Sequence, residues 1–378
     1  MKIVIAPDSF KGSLNAIEVS KSIEKGIKKA DPEANIVLIP MADGGEGTME
    51  TLVASTNGYQ KQVTVTGPLG AKVEASYGVL GDSETCVIEM ASASGLHLID
   101  SRELNPFKTT TYGVGELIKT ALDDGFRKFV IGLGGSATND GGAGMLQALG
   151  MKLLDVNGSE VAHGGGELIN IKEVDLSSFD SRIKDSVFII ASDVQNPMIG
   201  PQGASHVFGP QKGATSTMVR LLDEGMKNWA DQIEKVTDVS LHDRPGAGAA
   251  GGIGGAFQAF FPSETRRGID IVIEYTKLEE VIIDADFVIT GEGKIDDQTV
   301  FGKTPMGVAQ IAQKQNVPTI ILAGTVGKGI EQLYQYGVIA VFSIINRPLT
   351  LNEAIQGAQE LLENTAEQIT RLLMKHGK

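Results

Sequence analysis

The run from Phe129 to Gly144 (Phe-Val-Ile-Gly-Leu-Gly-Gly-Ser-Ala-Thr-Asn-Asp-Gly-Gly-Ala-Gly) combines groups suited to holding an anion. An apolar start breaks into glycines and small hydroxyl residues, and a helical pattern with Met145, Leu146 and Leu149 follows. Backbone N–H groups converging in such a turn, with a helix N-terminus behind them, favour phosphate. Gly134, Gly135, Ser136, Thr138 and Asn139 are the candidate phosphate ligands, and Asp140 adds a carboxylate suited to a metal. Three further clusters mix glycine with charge. Asp8-Ser9-Phe10-Lys11 follows the first apolar run. Asp43-Gly44-Gly45-Glu46 sets two carboxylates close together, suited to Mg²⁺ or to substrate hydroxyls. The stretch after Thr290 carries Lys294 and Asp296, candidates for phosphate and metal contacts. Asp193, just beyond the run 187–191, is placed to take a proton from a hydroxyl.

The elements that must position these groups are short apolar runs at 3–6, 36–39, 129–131, 187–191, 287–289, 319–323 and 338–345, each ending in Gly, Asp, Ser or Pro. They read as strands buried on both faces, as in parallel sheets. Helical spacing lies between many of them, at 15–30, 112–122, 304–313 and 351–374. Ser13 is the expected cap of the first helix, with Glu18 too distant from it for a capping box. Strands alternating with helices predict an α/β fold with ligands at the carboxyl ends of the strands. Residues 62–66 and 73–80 alternate around Gly67-Pro68 and Gly70, which predicts an antiparallel excursion. The expected organisation is a flavodoxin-like (Rossmann-like) parallel-sheet domain from 1–60 and 285–378, with a mixed α/β domain, 61–284, inserted into it.

Composition bounds the partners. With 378 residues, 42% hydrophobic and 21% charged, the chain reads as a folded, soluble protein of two domains. Net charge of −14 with no basic stretch argues against nucleic acid or an anionic membrane, so an anionic substrate must be held by local cations and helix ends. The single Cys86, an immediate first strand and the lack of an 18-residue apolar run predict a cytoplasmic protein. His97, His163, His206, His242 and His376 form no metal-spaced pair, and no serine sits in G-x-S-x-G. Asp297 to Thr304 nearly matches a P-loop, but Asp297 stands where the first glycine is required. Gly132-Leu-Gly-Gly-Ser-Ala137 follows a strand and has Asp155 some twenty residues on, the best case for a dinucleotide site; the glycines at 141, 142 and 144 weaken the helix such a site needs.

Six blocks taken together resemble one family. They are Ala6 to Ser13, Pro40 to Thr48, Gly132 to Gly144, Gly209-Pro-Gln-Lys-Gly-Ala214, Pro245-Gly-Ala-Gly-Ala-Ala-Gly-Gly252 and Thr290 to Lys303. In this order they resemble the bacterial glycerate kinases of the type that makes 2-phosphoglycerate. The resemblance implies ATP:glycerate phosphotransfer with Mg²⁺ on two α/β domains, with the active site in the cleft between them. Under that reading the γ-phosphoryl group passes in line to a glycerate hydroxyl. The glycine loop then cradles ATP phosphates, Asp140 or Asp296 holds Mg²⁺, and Lys294 meets the transferring phosphate. Asp193 takes the hydroxyl proton, while Lys11, with Arg267 a further candidate, grips the glycerate carboxylate. Asp8, Ser9, Asp43, Gly44, Gly45 and Glu46 complete the substrate contacts. Two other readings remain open: an NAD(P)-dependent oxidoreductase acting on a small hydroxy acid, and a non-catalytic metabolite sensor.

Overall fold

The computed structural model describes residues 1–301 and 303–376. In chain order its strands are β1 (Lys2–Ile5), β2 (Asn35–Leu38), β3 (Tyr59–Thr66), β4 (Lys72–Val79), β5 (Thr85–Glu89), β6 (Lys128–Gly132), β7 (Lys152–Leu154), β8 (Glu173–Asp175), β9 (Val187–Ala191), β10 (Ser263–Arg266), β11 (Phe287–Ile295), β12 (Thr319–Val326) and β13 (Val338–Ser343). They divide between two units. The first comprises Met1–Asp43, Glu50–Thr56 and the chain from Arg267 onward; the second comprises Gly44–Met49 and Asn57–Arg266.

The first unit holds a five-stranded sheet in the order β13-β12-β11-β1-β2, parallel throughout. Renumbered within the unit this is the flavodoxin order 2-1-3-4-5, with its switch point between β1 and β11. The helix Ala16–Ala30 turns Val19, Ile23 and Ile27 inward. Its cap is Asn15 rather than Ser13: the Asn15 side chain accepts from Glu18 N, and Glu18 returns the bond to the Asn15 N–H. This capping box requires the three-residue spacing that Asn15 has and Ser13 lacks. Ser13 instead donates to Ile355 O at 2.9 Å. The same helix lies against Ala358–His376 so closely that a Cβ on Gly26 would sit 2.2 Å from Glu363 O. The helical pattern from 351 breaks at Gly357 into Leu351–Gln356 and Ala358–His376.

The second unit holds a six-stranded sheet ordered β10-β9-β6-β5-β4-β3. Its first four strands are mutually parallel, and β3–β4 is the antiparallel excursion. Phe129 and Phe188 stack at 4.7 Å across β6 and β9, and the core extends to fully buried Trp229. The unit's boundaries differ from the expected 61 and 284. The strand β3 already begins at Tyr59, and residues after Arg266 return to the first unit because the helix Gly268–Thr276 packs on Thr304–Lys314. A Cβ on Gly307 would lie 2.5 Å from Ile269 Cγ1. Among the described residues no helix is long and apolar enough to cross a membrane.

Candidate active site

In the first unit, charge collects at the switch point. Asp8 N donates to Gly291 O at 2.8 Å, which seats the end of β1 beside β11. The Asp8 carboxylate is buried, accepting from Ser9 N at 2.6 Å and from the Thr304 hydroxyl. Burial, then the nearby Asp43 charge, pushes its pKa up to about 6 against the pull of those hydrogen bonds and of Lys11. Glu292 on β11 is also buried, and burial raises it to about 7 although Lys303 stands 3.2 Å away and opposes the shift. Two carboxyl groups near their titration points thus flank a strand end, a state that suits proton transfer. Lys294 is exposed and pairs with Asp296 at 2.7 Å, as expected for neighbours on one edge. Lys11 is exposed and makes no ion pair or hydrogen bond with a described residue.

Arg267 stands at the N-terminus of Gly268–Thr276 with its Nε and Nη2 on both oxygens of Asp270, at 2.8 and 2.7 Å. Gripping a substrate carboxylate with the same fork would require this pair to open.

In the second unit the glycine loop follows β6. A Cβ on Gly134 would lie 2.8 Å from Gly45 Cα, so glycine at 134 permits the turn at Gly44 and Gly45 to approach. Glu46 in that turn is exposed, while Glu89 at the end of β5 accepts from Met49 N at 2.8 Å. The loop is pinned by Leu96 N on Gly135 O and Ala137 N on Ser94 O, both 2.9 Å. Gly135 takes φ +75°, and the N–H groups of Gly134, Gly135 and Ser136 have no partner among the described residues. Successive free N–H groups around a left-handed residue form an anion-binding concavity.

Beyond Ser136 the loop dives inward. Thr138 and Asn139 are fully buried; Asn139 Nδ2 donates to Ser205 Oγ at 2.9 Å, while Thr138 Oγ1 and Asn139 Oδ1 have no hydrogen-bond partner among the described residues. Asp140 is buried too, accepting from Thr111 N (2.7 Å), the Thr111 hydroxyl (2.8 Å), Gly142 N (3.2 Å) and Gly144 N (3.3 Å). It is therefore the anion at the start of the helix Ala143–Ala148, which corrects both its expected metal role and the expected phosphate on that helix end. Burial raises its pKa and the four donors counter it. Beneath the loop lies Lys212, buried, donating to Ser136 Oγ at 2.8 Å and Thr138 O at 2.6 Å. Desolvation lowers its pKa to about 7. Gly251, at φ +75°, would place a Cβ 2.0 Å from Thr138 O, so the glycine-rich 245–252 segment is the bed on which the loop rests. Asp193 is exposed just past β9.

One expectation loses its footing. Asp155, the candidate ribose ligand, accepts from Asn157 N and Ser159 N in an exposed turn after β7, and so closes that turn. Among the described residues no three His, Cys, Asp or Glu side chains converge as a metal-holding cluster. Sequence reasoning missed Lys212 and Glu292. The only signal for Lys212 was a lysine inside Gly-Pro-Gln-Lys-Gly; Glu292 lay in plain view between Gly291 and Gly293.

A model of the glycerate kinase family matches residues 3–374. A glycerate kinase of Bacillus subtilis is 51% identical over 369 residues, covering 98% of this chain and 97% of its own. The glycerate 2-kinase of Escherichia coli is 49% identical over 99% of this chain and 98% of its own. A solved structure from Salmonella typhimurium LT2, assigned as a glycerate kinase 2, superposes with a TM-score of 0.89 at 47% identity, covering 100% of this chain and 99% of that one.

Proposed function

The chain belongs to the glycerate kinase family, and from that premise we propose that it transfers the γ-phosphoryl group of ATP to the 2-hydroxyl of D-glycerate, giving 2-phosphoglycerate and ADP. The 49% identity to a glycerate 2-kinase along 99% of the chain carries this reading. Phosphoryl transfer through a loose transition state asks a protein for positioning and charge neutralisation rather than covalent chemistry. The N–H groups of Gly134, Gly135 and Ser136 suit a phosphate oxygen, with Thr138 and Asn139 as further donors to it, and Lys212 holds Ser136 Oγ and Thr138 O from below. Lys294 neutralises charge on the transferring group. Lys11, which makes no ion pair, takes the glycerate carboxylate, and Asp8, Ser9, Asp43 and Glu46 receive its hydroxyls.

Asp193, exposed at a strand end, takes the proton of the attacking hydroxyl, since a carboxylate suffices where the phosphate charge is neutralised. Mg²⁺, bound through one or two carboxylates and the nucleotide's own phosphates, would be held by Asp296 and would supply charge neutralisation. Asp296 fits because its carboxylate sits beside the phosphate-seeking Lys294. Asp140 fits less well, because its carboxylate is buried and already accepts from four donors, three of them on Oδ2.

The test is an assay with D-glycerate, ATP and Mg²⁺ read by phosphorus NMR. A 2-phosphoglycerate signal is expected. A 3-phosphoglycerate signal would overturn the regiochemistry, and no ATP turnover would overturn the kinase reading.

A further inference from the structure

A cavity of about 670 Å³ opens in the first unit above the carboxyl ends of β11, β12 and β13, next to the loop that leaves β1. That volume falls in the range of roughly 300–1,000 Å³ that small-molecule sites occupy. Its position is where ligands of open α/β sheets bind, next to the topological switch point. The walls are aliphatic, chiefly Val326, Ile344, Ile345, Leu349 and Ile355, with Leu351 left 77% exposed. The floor is bare backbone: Gly293 and Gly324 both line it, and a Cβ on Gly324 would lie 2.6 Å from Gly293 O.

The polar groups around the cavity are largely spent on the protein. Ser13 donates to Ile355 O, Ser343 to Gly324 O, and the Thr350 hydroxyl caps Leu351–Gln356. Lys11 is the cation among the lining residues, and it makes no ion pair or hydrogen bond with a described residue. An aliphatic slot with a glycine floor and one ammonium group that makes no ion pair with a described residue fits a ligand with a flat, weakly polar body and an anionic end.

We infer that this cavity seats the base and ribose of an adenine nucleotide, with Lys11 meeting the phosphate next to the ribose. The inference rests on the kinase reading above, which supplies the nucleotide; it replaces the glycerate carboxylate as the partner of Lys11 and leaves that carboxylate to Arg267. Aliphatic side chains sandwich the purine, and the glycines let the ring approach the backbone.

The experiment uses the full chain. Photolabelling with 8-azido-ADP, followed by peptide mapping, is expected to mark residues within 343–355, and unlabelled ADP is expected to protect them. Ala354→Phe, which projects a ring into the cavity, is expected to raise the calorimetric dissociation constant for ADP at least tenfold. The KM for glycerate should stay within twofold. ADP bound by the wild type but labelled only elsewhere would overturn the inference and leave the kinase reading intact. So would an ADP affinity unchanged in a folded Ala354→Phe protein. A wild type that neither binds ADP nor turns over ATP would overturn both.

Discussion

Replacing Lys212 by methionine isolates one buried ammonium group and gives a pH-dependent signature. Methionine keeps most of the unbranched side chain, so packing changes little, but the donors to Ser136 Oγ and Thr138 O are lost. Leaving the buried Thr138 carbonyl without its donor costs about 1–3 kcal/mol. Against this stands the desolvation of the ammonium group, which lowers its pKa from the ordinary 10.5 to about 7. A lysine whose folded pKa is depressed contributes stability that is complete above its unfolded pKa and is lost as pH falls through the folded value. Between pH 7 and pH 9 the wild type therefore gains about 2 kcal/mol that the variant does not. At pH 9, still below the unfolded pKa of 10.5, about 2 kcal/mol of the deprotonation cost remains and roughly offsets the donated bond, so wild type and variant should be about equally stable. Near pH 7 the variant should be the more stable by about 2 kcal/mol. Urea titrations at the two pH values read this directly, because the single, fully buried Trp229 donates to Gly141 O in the same loop and reports on the second unit. A difference between wild type and variant that stays flat from pH 7 to pH 9 would refute the reasoning.

Glu292→Gln should reverse the slope. A carboxyl group whose folded pKa is raised to about 7 contributes stability present below its unfolded pKa and lost as pH rises through 7. The advantage of wild type over variant should fall by about 2 kcal/mol between pH 5 and pH 8, followed by circular dichroism. Asp140→Ala leaves four buried donors without an acceptor and should cost more than about 3 kcal/mol in urea unfolding, yet any folded fraction should keep the wild-type Mg²⁺ activation constant. A weakened Mg²⁺ response in folded Asp140→Ala would restore the metal role. Asp193→Asn should lower kcat by about 10²–10⁴-fold with the KM for ATP unchanged; near-normal turnover would remove Asp193 as the base.

The central strands of the first unit's sheet, β1, β11 and β12, were legible because they are largely buried on both faces and therefore read as continuous apolar runs. In the second unit the strand at 187–191 matches to the residue, while in the first unit's sheet the structure extends 287–289 and 319–323 to Ile295 and Val326. What extended them was invisible as periodicity: Gly291, Gly293 and Gly324 carry no side chain to register a pattern. A Cβ on Gly291 would lie 2.0 Å from Leu322 O, so glycine there is a condition of the β11–β12 pairing rather than a sign of a loop. The shorter strands β7, β8 and β10 span three or four residues each and owe their existence to partners distant in sequence.

The site was legible in its residue types and less so in its assignments, and Asp140 shows why. A carboxylate after a glycine loop has the same local sequence whether it faces a ligand or turns back to satisfy the N–H groups of the following helix. The difference is made by Thr111, twenty-nine positions earlier, whose N–H and hydroxyl both close on the same oxygen. Lys212 poses the converse case. In sequence it is one lysine among glycines with no stated duty, yet it reaches back across seventy-six positions to Ser136 and becomes the rigid support of the loop. Both residues hold the glycine loop through bonds internal to the protein, Asp140 from the helix side and Lys212 from below. An anion arriving at Gly134, Gly135 and Ser136 would then meet donors already oriented, and little of its binding energy would go into ordering the loop.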